Sequence, residues 1–296
     1  MKIRHILGTI LLIAILLGVY WARLTQHYDV YQDPPMLDIS DLQSESGLLT
    51  EMDSGAILAE KNPKEIVYPA SLTKMMTALV AIEMAEDMDS PVTISDKIYP
   101  QLYAEDASMA GFLAGETVTV SDLLYGTLLR SGAECCLTLA NYFAGSEPKF
   151  VTLMNEKAEE LGMNDTHFCN TTGLHDPRHV STVTDLSILL RYALNNDTFR
   201  QIFTTKEYQS GGTDEHPEGL YMESTTFQWL AALGAKNVTV LGGKTGYTKE
   251  AGYCLATLIS AQGRETVLVT AKGDEKNGEV PVHVIDAASV FDLLKK

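Results

Sequence analysis

Leu48-Leu49-Thr50-Glu51-Met52-Asp53-Ser54-Gly55-Ala56-Ile57-Leu58-Ala59-Glu60 decides the fold. Two β-rich runs flank an Asp-Ser-Gly turn, the pattern of a hairpin. A hairpin so early means that the sheet begins near one end of the chain. The other strand-like runs come only after Phe199, at 238–241, 245–248, 253–259 and 266–271, with a turn at Gly263 between the last two. Helical patterns fill the space between. Ser71 opens one helix, with Met75, Met76, Leu79, Val80 and Ile82 on its apolar side. A loop-rich region runs on to Gly115. Ser121 is expected to cap a helix over 122–129, another helix spans 134–143, and Ser146 caps a third over 149–161 that stops at Gly162. Residues 170–179 are rich in Gly, Pro, His and Asp and form a long loop. Thr182-Val183-Thr184-Asp185 resembles a capping box before an apolar helix over 186–194, and a last helix covers 284–294. Strands, many helices, strands and one helix define an α+β protein, with an antiparallel sheet built from both ends of the chain and a helical insertion between.

The chain has 296 residues, 45% of them hydrophobic and 21% charged, enough for a sizeable core in one large domain or two small ones. Its net charge is −17. That balance argues against nucleic acid or anionic lipid as a partner, although a local basic pocket can still hold an anionic group. Lys2, Arg4 and His5 precede a charge-free run over 6–22. This is the short end of a membrane-spanning helix, and it also fits a secretory signal with a long apolar core. No Ala-x-Ala follows it, so residues 1–23 are read as an N-terminal membrane anchor or signal segment, the uncleaved anchor being preferred over a cleaved signal and a buried helix being disfavoured. A basic N-terminus stays in the cytoplasm, which makes the protein a single-pass membrane protein with its domain outside, or a secreted one if the segment is cleaved. Residues 24–46, polar and acidic with Pro34-Pro35, are read as a linker, and 47–296 as the domain. Cys135, Cys136, Cys169 and Cys254 form no CxxC; they are read as small buried thiols, with one bridge possible.

Three short strings carry chemistry: Ser71-Leu72-Thr73-Lys74, Ser131-Gly132-Ala133 and Lys244-Thr245-Gly246. A serine hydroxyl is a weak nucleophile until a base takes its proton. Residues i and i+3 share a helix face, so Lys74 can reach Ser71. Free N–H groups at a helix start help hold an oxyanion, and the dipole there disfavours an ammonium. A second cation nearby would push Lys74 further toward its neutral, basic form. Alone the string is weak, since Ser146-Glu147-Pro148-Lys149 repeats it as an ordinary cap. Ser131 sits in a break between helices, where a serine relays a proton or merely makes a turn. The Lys244 strand, with glycine at 246, either admits a substrate backbone at a sheet edge or is a charged protective edge. As a binding strand, it offers Lys244 and Thr245 to a carboxylate and the Tyr247 N–H to an oxyanion.

The flanks join the strings. Tyr68-Pro69-Ala70-Ser71-Leu72-Thr73-Lys74-Met75-Met76-Thr77-Ala78-Leu79 resembles the nucleophile segment of serine D-alanyl-D-alanine carboxypeptidases, the low-molecular-mass penicillin-binding proteins of peptidase family S11. Gly115-Glu116-Thr117-Val118-Thr119-Val120, Thr166-His167-Phe168 with Asn170-x-x-Gly173-Leu174-His175-Asp176, and Gly243-Lys244-Thr245-Gly246-Tyr247-Thr248 are similar to further segments of that family, over about residues 48–279. The resemblance implies a β-lactamase/transpeptidase-like fold. It implies that Ser71 is acylated, that Lys74 is its base, and that Ser131 and Lys244 pass the proton to departing D-alanine. Thr245 would bind the terminal carboxylate, beside Gly246, and the N–H groups of Ser71 and Tyr247 would form the oxyanion hole. Substrates would be peptidoglycan stem peptides ending in D-Ala-D-Ala, with β-lactams as covalent inhibitors and no cofactor.

One departure stands out. The family's middle motif is commonly Ser-x-Asn, and position 133 is Ala. A side-chain amide that would contact Lys74 is therefore missing, and Glu134 is expected to point elsewhere. Reduced or altered specificity rather than loss of activity is the expectation, because the nucleophile, base and oxyanion groups remain, with a degenerate, non-catalytic penicillin or wall-peptide binder as the alternative. A β-lactamase is the other alternative, but residues 164–179 hold no Glu to activate a deacylating water. A zinc site on His175 and His179 is disfavoured, because Pro177 prevents the helix that would bring them to one face.

Overall fold

The hairpin forms as read. In the computed structural model, which describes residues 36–230, 238–274 and 280–295, β1 (Ser44–Glu51) pairs antiparallel with β2 (Ile57–Lys61). Gly55 takes the left-handed conformation at the turn, with φ 73°. A 3-10 turn at Ala70–Leu72 leads into α1 (Thr73–Met84). The stretch expected to be loop-rich holds β3 (Pro91–Thr93), α2 (Tyr99–Ala104) and β4 (Thr117–Thr119), with β3 and β4 paired. Next come α3 (Val120–Leu129), α4 (Ala133–Ala144), α5 (Glu147–Glu160), α6 (Val183–Ala193) and α7 (Asp197–Thr204). A small arm of β5 (Glu207–Gln209) and β6 (Tyr221–Glu223) precedes α8 (Thr225–Leu230). The chain then lays down β7 (Val238–Thr248), β8 (Gly252–Ala261) and β9 (Arg264–Gly273) and closes with α9 (Val282–Leu294).

The main sheet runs β2-β1-β9-β8-β7, antiparallel throughout, so strands from the two ends of the chain meet at β1 and β9. Its side chains alternate between two cores, as the period of a strand requires. Leu48, Ala256, Leu258, Val267 and Val269 face the helical insertion, while Leu49, Leu255, Ile259 and Leu268 face α8 and α9. Burying each such Leu, Ile or Val stabilises the fold by about 1.5–3 kcal/mol. Helix α1 lies in the first core and is buried nearly all round, including Thr73, Lys74 and Thr77. The sequence suggested one apolar side. Enclosure by the sheet and the neighbouring helices removes the polar face, which leaves a lysine in the interior.

Several local expectations shift. Thr119, not Ser121, caps α3: its Oγ1 accepts the Asp122 N–H at 3.0 Å, and the Asp122 carboxylate accepts the Thr119 N–H at 2.9 Å. Thr182 caps α6, but the Asp185 carboxylate turns away to Asp165 N and Thr166 Oγ1, so only half of the capping box forms. Ser146 precedes α5 without a side-chain cap bond. Residues 238–241 and 245–248 belong to one strand with a register shift between Val240 and Gly242. The linker read as reaching residue 46 ends sooner. Ile39 and Leu42 are buried against the sheet and α9, and Gln43 and Ser44 donate backbone N–H groups to Asp286. The polar composition of that stretch hides these spaced apolar residues. No helix among the described residues is long and apolar enough to cross a membrane; the anchor expected over 1–23 lies outside them.

Candidate active site

The approach of β7 to the start of α1 builds the site. Gly246 passes so close that a Cβ there would lie 3.0 Å from the Ser71 nitrogen. Ser71 sits in the 3-10 turn, and Ala70 just before it adopts a left-handed φ of 46°. One turn of chain later, Lys74 Nζ donates to Ser71 Oγ at 3.1 Å and to the Thr172 carbonyl at 2.6 Å. A second pair lies deeper. Ser131, in the gap between α3 and α4 with φ 62°, accepts from Lys244 Nζ at 3.0 Å, and Lys244 also donates to its own neighbour, the Thr245 carbonyl, at 2.8 Å. Ser71, Lys74, Ala133, Thr172, Gly173 and Tyr247 line a cleft of about 280 Å³.

Both lysines are buried: Lys74 is 2% exposed and Lys244 0%. No salt bridge among the described residues reaches either one. Burial pushes the Lys74 amine below the ordinary lysine range, against the opposing pull of Cys136 and Glu134. Burial pushes Lys244 well below it, and the charge of Lys74 adds to the effect. The neighbouring thiols do not supply an anion, since burial raises Cys136 to about 11 and Cys135 well above its usual value. A neutral amine beside a serine hydroxyl is a competent base, so the pair Ser71–Lys74 can generate an alkoxide.

The structure thus brings Ser71 to Lys74 and Ser131 to Lys244. Lys244, expected to serve both Ser131 and a substrate carboxylate, meets Ser131 with its amine. Thr245 Oγ1 is paired with Thr225 Oγ1 at 3.2 Å, a partner at the start of α8 that nothing in the sequence singles out. Tyr247 is 43% exposed, with its ring against Tyr253. Glu134 points away from the amines, as expected, and accepts the Gly111 N–H at 2.9 Å. Thr172, Gly173 and Leu174, from the stretch expected to be a loop, line the cleft. Gly173, at φ 82°, lies where a Cβ would overlap the Ala70 carbonyl oxygen. His179 accepts the Cys169 N–H on Nδ1 and holds Thr73 Oγ1 at 2.8 Å through Nε2, and His175 packs edge-on against Tyr68. All four cysteines are free thiols, three of them buried.

A sheet with an edge strand at the Ser71–Lys74 pair, backed by the buried Ser131–Lys244 pair, is an arrangement in which a serine can be activated as a nucleophile. The chain belongs to the D-alanyl-D-alanine carboxypeptidase family, peptidase S11, whose match covers residues 31–274. It is similar to the D-alanyl-D-alanine carboxypeptidase DacF of Bacillus subtilis, 34% identical over 247 residues, which are 80% of this chain and 60% of that protein. In structure it is similar to a D-alanyl-D-alanine carboxypeptidase of Mycobacterium tuberculosis, with a TM-score of 0.75 and 29% identity, covering 88% of this chain and 94% of the other. The DD-transpeptidase of Streptomyces K15 matches with a TM-score of 0.75 and 26% identity, covering 86% and 97% of the two chains. The chain spans about three fifths of the length of the first curated relatives it matches.

Proposed function

We propose that the protein is a serine D-alanyl-D-alanine carboxypeptidase that removes the terminal D-alanine of peptidoglycan stem pentapeptides and is acylated by β-lactams. The observation that carries this reading is the buried Lys74 amine 3.1 Å from the Ser71 hydroxyl, held below the ordinary lysine range by burial. Neutral Lys74 takes the Ser71 proton, and Oγ attacks the carbonyl of the penultimate D-alanine. The oxyanion is met by the backbone N–H groups of Ser71 and Tyr247. The C–N bond then breaks, and the leaving amine collects a proton through Ser131, whose hydroxyl Lys244 holds. Water hydrolyses the acyl-enzyme. Thr245 holds the substrate carboxylate, with Gly246 leaving room for the substrate backbone. The charge-free run over 6–22 after basic residues supports a membrane anchor with the domain outside the cytoplasm; removing residues 1–23 is expected to release the protein from the membrane fraction.

Fluorescent penicillin is expected to label the wild-type protein and not Ser71→Ala, and mass spectrometry to detect D-alanine released from a pentapeptide mimic. Absence of label on the wild type removes the enzyme reading. Labelling without D-alanine release leaves a binder, and rapid turnover of a chromogenic β-lactam makes it a β-lactamase.

A further inference from the structure

We infer that Asn170 is a positioning residue for the base: it shapes the turn that aims the Thr172 carbonyl at Lys74, and that carbonyl turns the amine toward Ser71. The inference rests on the reading of Ser71 as the acylated group. A neutral amine has two N–H bonds and one lone pair. A carbonyl oxygen only accepts, so the 2.6 Å contact commits one Lys74 N–H to Thr172. With that bond fixed, the remaining directions of the nitrogen face Ser71 Oγ at 3.1 Å. Position 133 carries Ala on the same cleft and offers no acceptor, so the backbone carbonyl supplies the contact that a side chain does not.

The direction of that carbonyl is set by Asn170. Its Oδ1 accepts from Thr172 N at 3.2 Å, Thr172 Oγ1 at 3.2 Å and Gly173 N at 2.8 Å. Its Nδ2 donates to the Leu174 carbonyl at 2.9 Å. One side chain therefore clamps three consecutive residues. Neighbouring bonds fasten the clamp to the frame of the nucleophile. Thr77, on α1 beyond Lys74, donates to the Thr171 carbonyl at 2.7 Å. Glu147 accepts from Thr171 N and Oγ1. Asn170 makes none of its hydrogen bonds to Ser71 or Lys74, so it acts through Thr172.

The test is the rate at which the full chain is acylated by fluorescent penicillin, measured against pH. Charged and titratable groups around Lys74 are Glu134, Cys135 and Cys136 from α4, Lys244 from β7, and His179 behind Thr73; none is altered by the variants. Asn170→Ala is expected to slow acylation about tenfold at neutral pH with little change in half-saturating penicillin. Its acid limb moves to higher pH, because water entering the loosened wall relieves the burial that depresses the amine. Adding Ala133→Asn to Asn170→Ala restores much of the rate, since an amide oxygen on the same cleft supplies another acceptor; a merely structural loss would not respond to a residue at 133. Ala133→Asn alone is the reference: its gain is expected to be smaller than the gain the same substitution gives in Asn170→Ala, and an equal or larger gain overturns the inference. Should Asn170→Ala not fold, Asn170→Ser supplies the same comparison. An unchanged rate in Asn170→Ala, or a loss with the limb unmoved and no recovery, also overturns it. No label on the unaltered chain removes the functional reading and this inference together, whereas label on that chain with flat variants removes this inference alone.

Discussion

At the scale of single residues, Ser131 is held at φ 62°, where an L side chain is strained by about 1–2 kcal/mol. The cost is met because the residue spans the gap between α3 and α4, with Gly132 against Ala110, and because its hydroxyl receives Lys244. Ser131→Gly and Ser131→Ala both delete the hydroxyl and should slow penicillin acylation alike. The glycine variant should be the more stable of the two by about 1 kcal/mol, read from denaturant midpoints; equal midpoints would dismiss the strain. The lysines give a second contrast. Their folded amines titrate below the unfolded value of 10.5, so between the two the unfolded chain binds the extra proton. Stability therefore rises as pH climbs toward 10.5. Lys74→Met should abolish acylation yet stabilise the fold by about 1 kcal/mol at neutral pH, with the gain shrinking toward alkaline pH. Chemical denaturation at the two pH extremes checks the sign.

At the scale of elements, Asp122 ties two of them together. It closes the cap of α3 with Thr119 and also accepts the Tyr208 hydroxyl of β5 at 2.9 Å, beneath the stacked Tyr125 and Tyr208 rings. Thr119→Ala should cost about 1 kcal/mol. Asp122→Ala should cost more, because it also strands a half-buried phenol, and the thermal midpoints should rank in that order. The same helix shows how far the sequence could be read. Ser121 and Thr119 are both good caps, and only the backward reach of Asp122 decides between them. The hairpin at Ser54-Gly55 was legible because its turn chemistry is local. The long strand β7 was split in the reading because Gly242-Gly243 looks like a breaker. In the fold these glycines answer close approach: a Cβ on Gly242 would strike the Phe203 carbonyl, and one on Gly243 the Thr226 side chain. In the site, Ser71, Lys74, Ser131 and Lys244 were legible because their side chains carry the chemistry. Thr172 was not, since it contributes a backbone carbonyl that no residue type announces, and Thr225 reaches Thr245 from a six-residue helix without a motif.

At the scale of the whole molecule, the two cores answer acid through one buried histidine each. His179 stands behind α1, and His283 lies on α9 against Tyr253. Burial pushes both down to about 4 from the usual 6.5. The bond from Cys169 N fixes the His179 proton on Nε2, so protonating Nδ1 would break that contact. Neither ring nitrogen of His283 has a partner among the described residues. Between pH 6.5 and 4 the unfolded chain thus binds protons that the folded chain refuses, and stability falls as the pH falls. The scale is on the order of 1.4 kcal/mol for each pH unit over which one histidine differs between the states. Glu134 and Asp185 pull the other way, because burial raises both and the folded state then holds their protons more tightly. The decisive comparison is therefore a difference between two proteins. His283→Phe keeps a ring against Tyr253, lies away from the catalytic cleft, and removes one titrating group. It should be more stable than the wild type at acidic pH, lose part of the pH slope of the unfolding free energy between 6.5 and 4, and acylate at the wild-type rate. A slope that survives the substitution would mean that His283 is already charged in the folded protein, and the acid sensitivity would then belong to the carboxylates and His179.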